Sequence, residues 1–159
     1  MSKDEINKKL DYHQLKIKAA NYCAYQDRSS MEVYNKLKLI GASVDTANAI
    51  IRELIKENFI DEKRFAEAYA RGKFNNNHWG KVKIGYALQQ KGIAPDLVAD
   101  ALHAIDDESY VKTIKKLVQN KSNQLKLTND WIRKNKIAQY VSNKGFEANL
   151  VLQVINDIL

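Results

Sequence analysis

The residues of this 159-residue chain that could do chemistry are few and scattered. Cys23 is the only cysteine, so it has neither a disulfide partner nor a second thiolate at metal-ligand spacing, and as a small apolar residue it suits a core. The three histidines, His13, His78 and His103, lie far apart. None has a second histidine four residues away or the nearby carboxylate of a zinc helix. Asp106-Asp107-Glu108 gathers carboxylates but lacks the glycine and alternating oxygen ligands of a calcium loop. Placed just ahead of Ser109-Tyr110-Val111, it suits a helix N-terminus, where carboxylates meet the positive end of the dipole. No phosphate-cradling glycine loop, nucleophile elbow or dinucleotide fingerprint occurs. The pattern points away from an enzyme, and neither a metal nor a cofactor is expected.

Binding chemistry has a better foothold. Between residues 71 and 83, Arg71, Lys73, Lys81 and Lys83 alternate with Asn75, Asn76, Asn77 and Trp79. Basic side chains there suit phosphate contacts, the amides suit hydrogen bonds and the indole suits stacking. Trp79 equally suits a structural plug at an interhelical loop. The net charge of +7 is unevenly spread: residues 110–159 hold nine Lys/Arg against three Asp/Glu, and the rest of the chain is almost balanced. Lys115, Lys116, Arg133, Lys134 and Lys136 in that basic end, with Lys91 from the middle of the chain, complete the candidate set. Such a field attracts nucleic acid or an acidic protein surface.

Helices must position these side chains. One proline and six glycines punctuate a sequence rich in Lys, Leu, Ile, Ala and Asn, and 45% of residues are hydrophobic against 28% charged, the composition of a folded, all-α chain. Gly41, Gly92 and Gly145 lie 51 and 53 residues apart, each after a helical pattern that it is suited to end in a left-handed conformation. Leu37, Leu88 and Val141 precede them by four residues, and Val33, Ile84 and Ile137 by eight, so each pair shares one helix face. Ala42, Ile93 and Phe146 follow directly. With an amphipathic stretch before each unit, the pattern predicts three tandem three-helix repeats stacked into an elongated, curved chain. Their bounds are 13–57, 58–105 and 106–159, after a flexible start over 1–12.

Start signals mark the helices. Ser29-Ser30-Met31-Glu32 reads as a capping box, Ser43 and Asp61 as caps, and Pro95 as a first helical residue. In the third unit Thr128, Asn129 and Asp130 stand further ahead of their glycine than Ser29 does of Gly41, which predicts a helix about one turn longer. No apolar run approaches the roughly 20 residues that span a bilayer, and the polar start lacks a signal-peptide core, so a cytoplasmic protein without membrane contact is expected.

Several segments together resemble the RecX family. They are Gln26-Asp27-Arg28-Ser29-Ser30 with Glu32, Leu37 and Gly41; Asn58-Phe59-Ile60-Asp61-Glu62-Lys63-Arg64-Phe65-Ala66; and Arg71-Gly72-Lys73, Trp79-Gly80-Lys81, Ile84, Leu88 and Lys91-Gly92-Ile93. The match is dense over residues 15–105 and positional over 110–159. Asn58 stands where the family often has glycine, and Glu62 replaces the second aspartate of an Ile-Asp-Asp junction. The resemblance implies a helical, cofactor-free regulator that lies in the groove of the RecA nucleoprotein filament; a monomer is expected. It would inhibit recombinase, ATPase and coprotease activities in DNA repair and the SOS response, touching single- or double-stranded DNA weakly or within the filament. A helix-turn-helix-like protein binding DNA on its own, and a protein adaptor indifferent to DNA, are the other readings of the residues alone.

Overall fold

The computed structural model describes residues 9–126 and 129–159. Among them are nine helices and no strand: α1 (Tyr12–Tyr25), α2 (Ser30–Leu39), α3 (Val44–Lys56), α4 (Glu62–Asn77), α5 (Lys81–Gln90), α6 (Pro95–His103), α7 (Asp107–Gln124), α8 (Asp130–Asn143) and α9 (Ala148–Ile158). Helices α1, α2 and α3 pack on one another, α5 packs on α6, and α7, α8 and α9 pack on one another. The chain divides into two compact units, one running to Phe65 and taking in Lys91–Ile93, the other comprising Ala66–Gln90 and Ala94–Leu159.

Local chemistry sets the helix ends. The Ser29 hydroxyl accepts from the Glu32 amide while the Glu32 carboxylate accepts from the Ser29 amide, so two orphan donors are satisfied. Ser43 caps α3, the Asp61 carboxylate accepts from the Arg64 amide, and Pro95 opens α6. Helix α1 begins at Tyr12, inside the stretch expected to be a flexible start, because Asp11 and Gln14 form a second capping box. Residues 1–8 of that stretch, and Thr128, lie outside the described residues; Asn129 is the cap of α8. At 14 residues α8 exceeds the 10 of α2 and α5 by about one turn, as the cap spacing predicts.

Gly41, Gly92 and Gly145 all take positive φ, at 103°, 77° and 97°. Two other residues do the same: Asn58 at 63° and His78 at 55°. At Asn58 the amides of Asn58 and Phe59 return to the carbonyls of Ile55 and Leu54 and close α3. His78 closes α4 in the same way, with the Trp79 amide donating to the Lys73 carbonyl at 3.1 Å. A histidine in that conformation carries steric strain that glycine does not. His78→Gly is therefore expected to raise stability by roughly 0.5–1 kcal/mol, read as a higher urea midpoint at unchanged slope.

The first unit's core joins Leu15, Ala19 and Cys23 of α1, Val33 and Leu37 of α2, and Ala47, Ile50, Ile51 and Leu54 of α3. Two motif segments far apart in sequence clasp there. Arg64 donates to Asp27 at 2.7 Å, and the Glu62 carboxylate accepts from the Ser30 amide at 3.0 Å. The longer reach of glutamate over aspartate thus has a use at position 62. Burial pushes the Cys23 thiol up to about 11, above its ordinary value near 9. The folded state then holds that proton where the unfolded chain releases it, so this stabilisation is complete below about pH 9 and is lost as pH rises towards 11. Thiol labelling of the native protein at pH 8 should be slow and become fast on unfolding; equal rates would contradict the burial.

In the second unit Phe74, Tyr110 and Phe146 stack in series, with centroids 5.7 and 5.1 Å apart. The buried Tyr110 hydroxyl accepts from the Lys81 amide at 3.0 Å and donates to Glu147 at 2.8 Å. Burial, and then the Glu147 carboxylate, raise its pKa. The start of α5 is sewn to the turn after α8: the Gly80 amide donates to the Lys144 carbonyl at 2.8 Å, and the Val82 amide to Gly145 at 2.9 Å.

Candidate partner and nucleic-acid interface

Because His78 turns the chain back on α4, Trp79 lies beside that helix's last turn, half-buried. Lys73, in the last two turns of α4, sets its ammonium 4.7 Å from the indole centroid and 5.5 Å from the Tyr69 ring one turn earlier. Lys83, in the first turn of α5, brings a second ammonium to 4.3 Å from the same indole. Lys73, Trp79 and Lys83 therefore form one cation–aromatic cluster. The ring's negative face holds two ammonium groups that would otherwise roam.

The other candidates are not gathered with them. Lys81 lies over the Tyr110 ring at 4.7 Å and 3.6 Å from an Asp107 carboxylate, so its amine serves the second unit's own packing. Arg71 borders a separate cavity of about 250 Å³ that also presents Glu67, Phe74 and Asp106. Lys91 pairs with Glu32 at 2.9 Å. Lys115 and Lys116 are exposed on α7. Arg133 donates to the buried Ser122 hydroxyl at 2.6 Å, and Lys134 pairs with Asp130 one turn before it at 3.4 Å.

Lys136 lines a third feature that reading the sequence missed. Lys121 and Lys144 place their ammonium groups 4.4 and 5.3 Å from the Tyr140 centroid, beside a cavity of about 360 Å³. The signal was present, since Lys136, Tyr140 and Lys144 recur at four-residue spacing on one helix face. In the first unit, too, Arg28 and Lys36 attend one ring, that of Tyr22, at 3.8 and 5.6 Å. There the Arg28 guanidinium also donates to the Tyr22 carbonyl, which makes it part of the packing.

The acidic run does structural work, with the Asp106 carboxylate accepting from the Ser109 amide at 2.8 Å; that bond holds its pKa below the ordinary value. No group of three or more His, Cys, Asp or Glu among the described residues is arranged to hold a metal ion. No helix among them is long and apolar enough to cross a membrane.

Helical triplets whose second helix ends on a left-handed glycine, with a basic, aromatic turn in the middle of the chain, define a class of tandem three-helix proteins, and comparison with known proteins places the chain within it. Residues 61–102 match the second three-helix domain of RecX. A regulatory protein RecX from Lactobacillus johnsonii is 28% identical over 99% of this chain, and one from Clostridium botulinum strain Eklund 17B is 30% identical over 83%. The chain spans 59% and 62% of the length of these two relatives. The crystal structure of RecX from Lactobacillus salivarius superposes with a TM-score of 0.84 at 29% identity, covering 92% of this chain and 96% of that one. A second RecX crystal structure gives 0.80 at 26% identity, covering 94% and 79%. The chain belongs to the RecX family.

Proposed function

We propose that this chain is a regulator of the RecA nucleoprotein filament, acting by occupation and not by catalysis. In this reading its three helix triplets, with repeat bounds at 13–57, 58–105 and 106–159, bridge neighbouring recombinase protomers. Basic side chains meet DNA phosphates or acidic protein surface. Strand exchange, ATP hydrolysis and coprotease activity fall, and recombination, repair and the SOS response are restrained. The protein works as a cytoplasmic monomer without a cofactor.

The observation that carries this reading is the RecX match over residues 61–102, the very segment that builds the Lys73–Trp79–Lys83 cluster. Relatives named regulatory protein RecX supply the regulatory sense. The duplex-reading alternative loses support on α8, where Arg133 and Lys134 are engaged within the fold.

Co-sedimentation with RecA filaments assembled on single-stranded DNA tests the proposal, with bare DNA and free RecA as references. Preference for the assembled filament over both references is expected. Equal or better binding to bare DNA would move the chain to the autonomous DNA-binding reading.

A further inference from the structure

We infer that the groove between α7 and α8 is a subsite for single-stranded nucleic acid, with one base stacking on Tyr140 and the flanking phosphates held by Lys121, Lys136 and Lys144. The groove is lined by Lys121, Leu125, Lys136, Gln139, Tyr140 and Asn143. Its volume of about 360 Å³ falls at the lower end of the roughly 300–1,000 Å³ typical of small-ligand sites.

Charge singles it out. No carboxylate lines it, whereas the cavity beside Arg71 presents Glu67 and Asp106, and the one beside Lys81 presents Asp107 and Glu147. Two ammonium groups converge on one tyrosine ring, an arrangement whose mutual repulsion an anion between them would relieve. Tyr140 is 38% exposed, so a ligand entering the groove can reach it. A base has the π-face that stacks on it, and its edges match the Gln139 and Asn143 amides at the rim. An acidic peptide would use the lysines but leave the ring and amides without a role. A duplex keeps its bases stacked inside and could not fill the groove.

The inference stands apart from the filament reading, because binding to bare single strands is measured with no recombinase present. The probe is a labelled oligothymidylate titrated with the full chain and followed by fluorescence anisotropy. Tyr140→Leu is expected to weaken binding by roughly 5- to 150-fold, the effect of losing one stacked base, while Tyr140→Phe stays within about twofold. Lys121→Gln/Lys136→Gln should reduce the slope of log affinity against log salt by about 1.4, at 0.7 per single-strand phosphate contact. A poly-glutamate peptide at equal charge concentration should fail to displace the oligonucleotide. Unchanged affinity in Tyr140→Leu, absence of oligothymidylate binding, or equal displacement by poly-glutamate would each overturn the inference, the last in favour of an acidic-peptide site. None of these results bears on filament inhibition, which has its own assay.

Discussion

Gly80→Ala is expected to cost the second unit roughly 2–4 kcal/mol, far more than an ordinary glycine-to-alanine change. A Cβ at position 80 would overlap the carbonyl of Gly145 and the nitrogen of Phe146. These are main-chain atoms of a turn, with no rotamer to move aside. Separation there also breaks the bonds from the Gly80 and Val82 amides to the carbonyls of Lys144 and Gly145. It further disturbs the seating of Phe146, which is 2% exposed and stacks on Tyr110. Urea unfolding followed by circular dichroism reads the loss as a lower midpoint. Two other glycines serve as controls. Gly72 has open space around its Cβ direction in the interior of α4, so Gly72→Ala should gain about 0.5–1 kcal/mol. A Cβ at Gly85 meets chiefly a movable Leu102 methyl at 3.2 Å, so Gly85→Ala should stay within about 1 kcal/mol of the parent. Three equal effects would mean that the contact between Gly80 and the 145–146 turn is not what holds this region together.

The second large effect concerns binding. Lys73→Glu/Lys83→Glu is expected to weaken association with RecA filaments on single-stranded DNA by roughly 30-fold or more at about 0.1 M salt, if both amines meet phosphates. Counterion release sets the size: each single-strand phosphate contact contributes about 0.7 to the salt slope, or roughly fivefold in affinity between 1 M and 0.1 M salt, so two contacts give about 25-fold, and reversal adds repulsion. Neither side chain has a carboxylate in the cluster, and both lie against the Trp79 face, so the unfolding free energy should change by less than about 1 kcal/mol. Lys81→Glu, two residues from Lys83, should behave in the opposite manner. It places a carboxylate beside Asp107 and removes the cation over Tyr110, so stability falls while the salt slope of binding changes little. Binding by the double variant that matches the parent across salt would remove the cluster from the interface.

That contrast between neighbouring lysines marks where sequence reasoning stops. The helical triplets were legible because their determinants are local: a capping box spans three residues, and a left-handed glycine ends the helix before it. The extra turn of α8 was legible for the same reason, since the distance from its caps to Gly145 is counted along one chain. Lys81 and Lys83 share type, helical turn and neighbourhood, and only the phase of α5 sends one to Tyr110 and Asp107 and the other to Trp79. Arg133 was equally opaque, because Ser122 of another helix engages it, whereas the Asp130–Lys134 pair stands at a legible four-residue spacing. The approach of Gly80 to Gly145 joins residues from different triplets, and no local pattern encodes it. Tyr140 was within reach, since its lysines stand at four-residue spacing, but the count of basic residues drew attention to charge and away from the ring they attend.

The most direct test of the account is a titration of this chain into RecA on single-stranded DNA while ATP hydrolysis is followed, at about 50 and 200 mM salt. Dose-dependent suppression of hydrolysis that weakens at the higher salt is expected, and Lys73→Glu/Lys83→Glu should shift it to higher protein concentration. Hydrolysis unaffected at saturating protein, at either salt, would contradict the proposal.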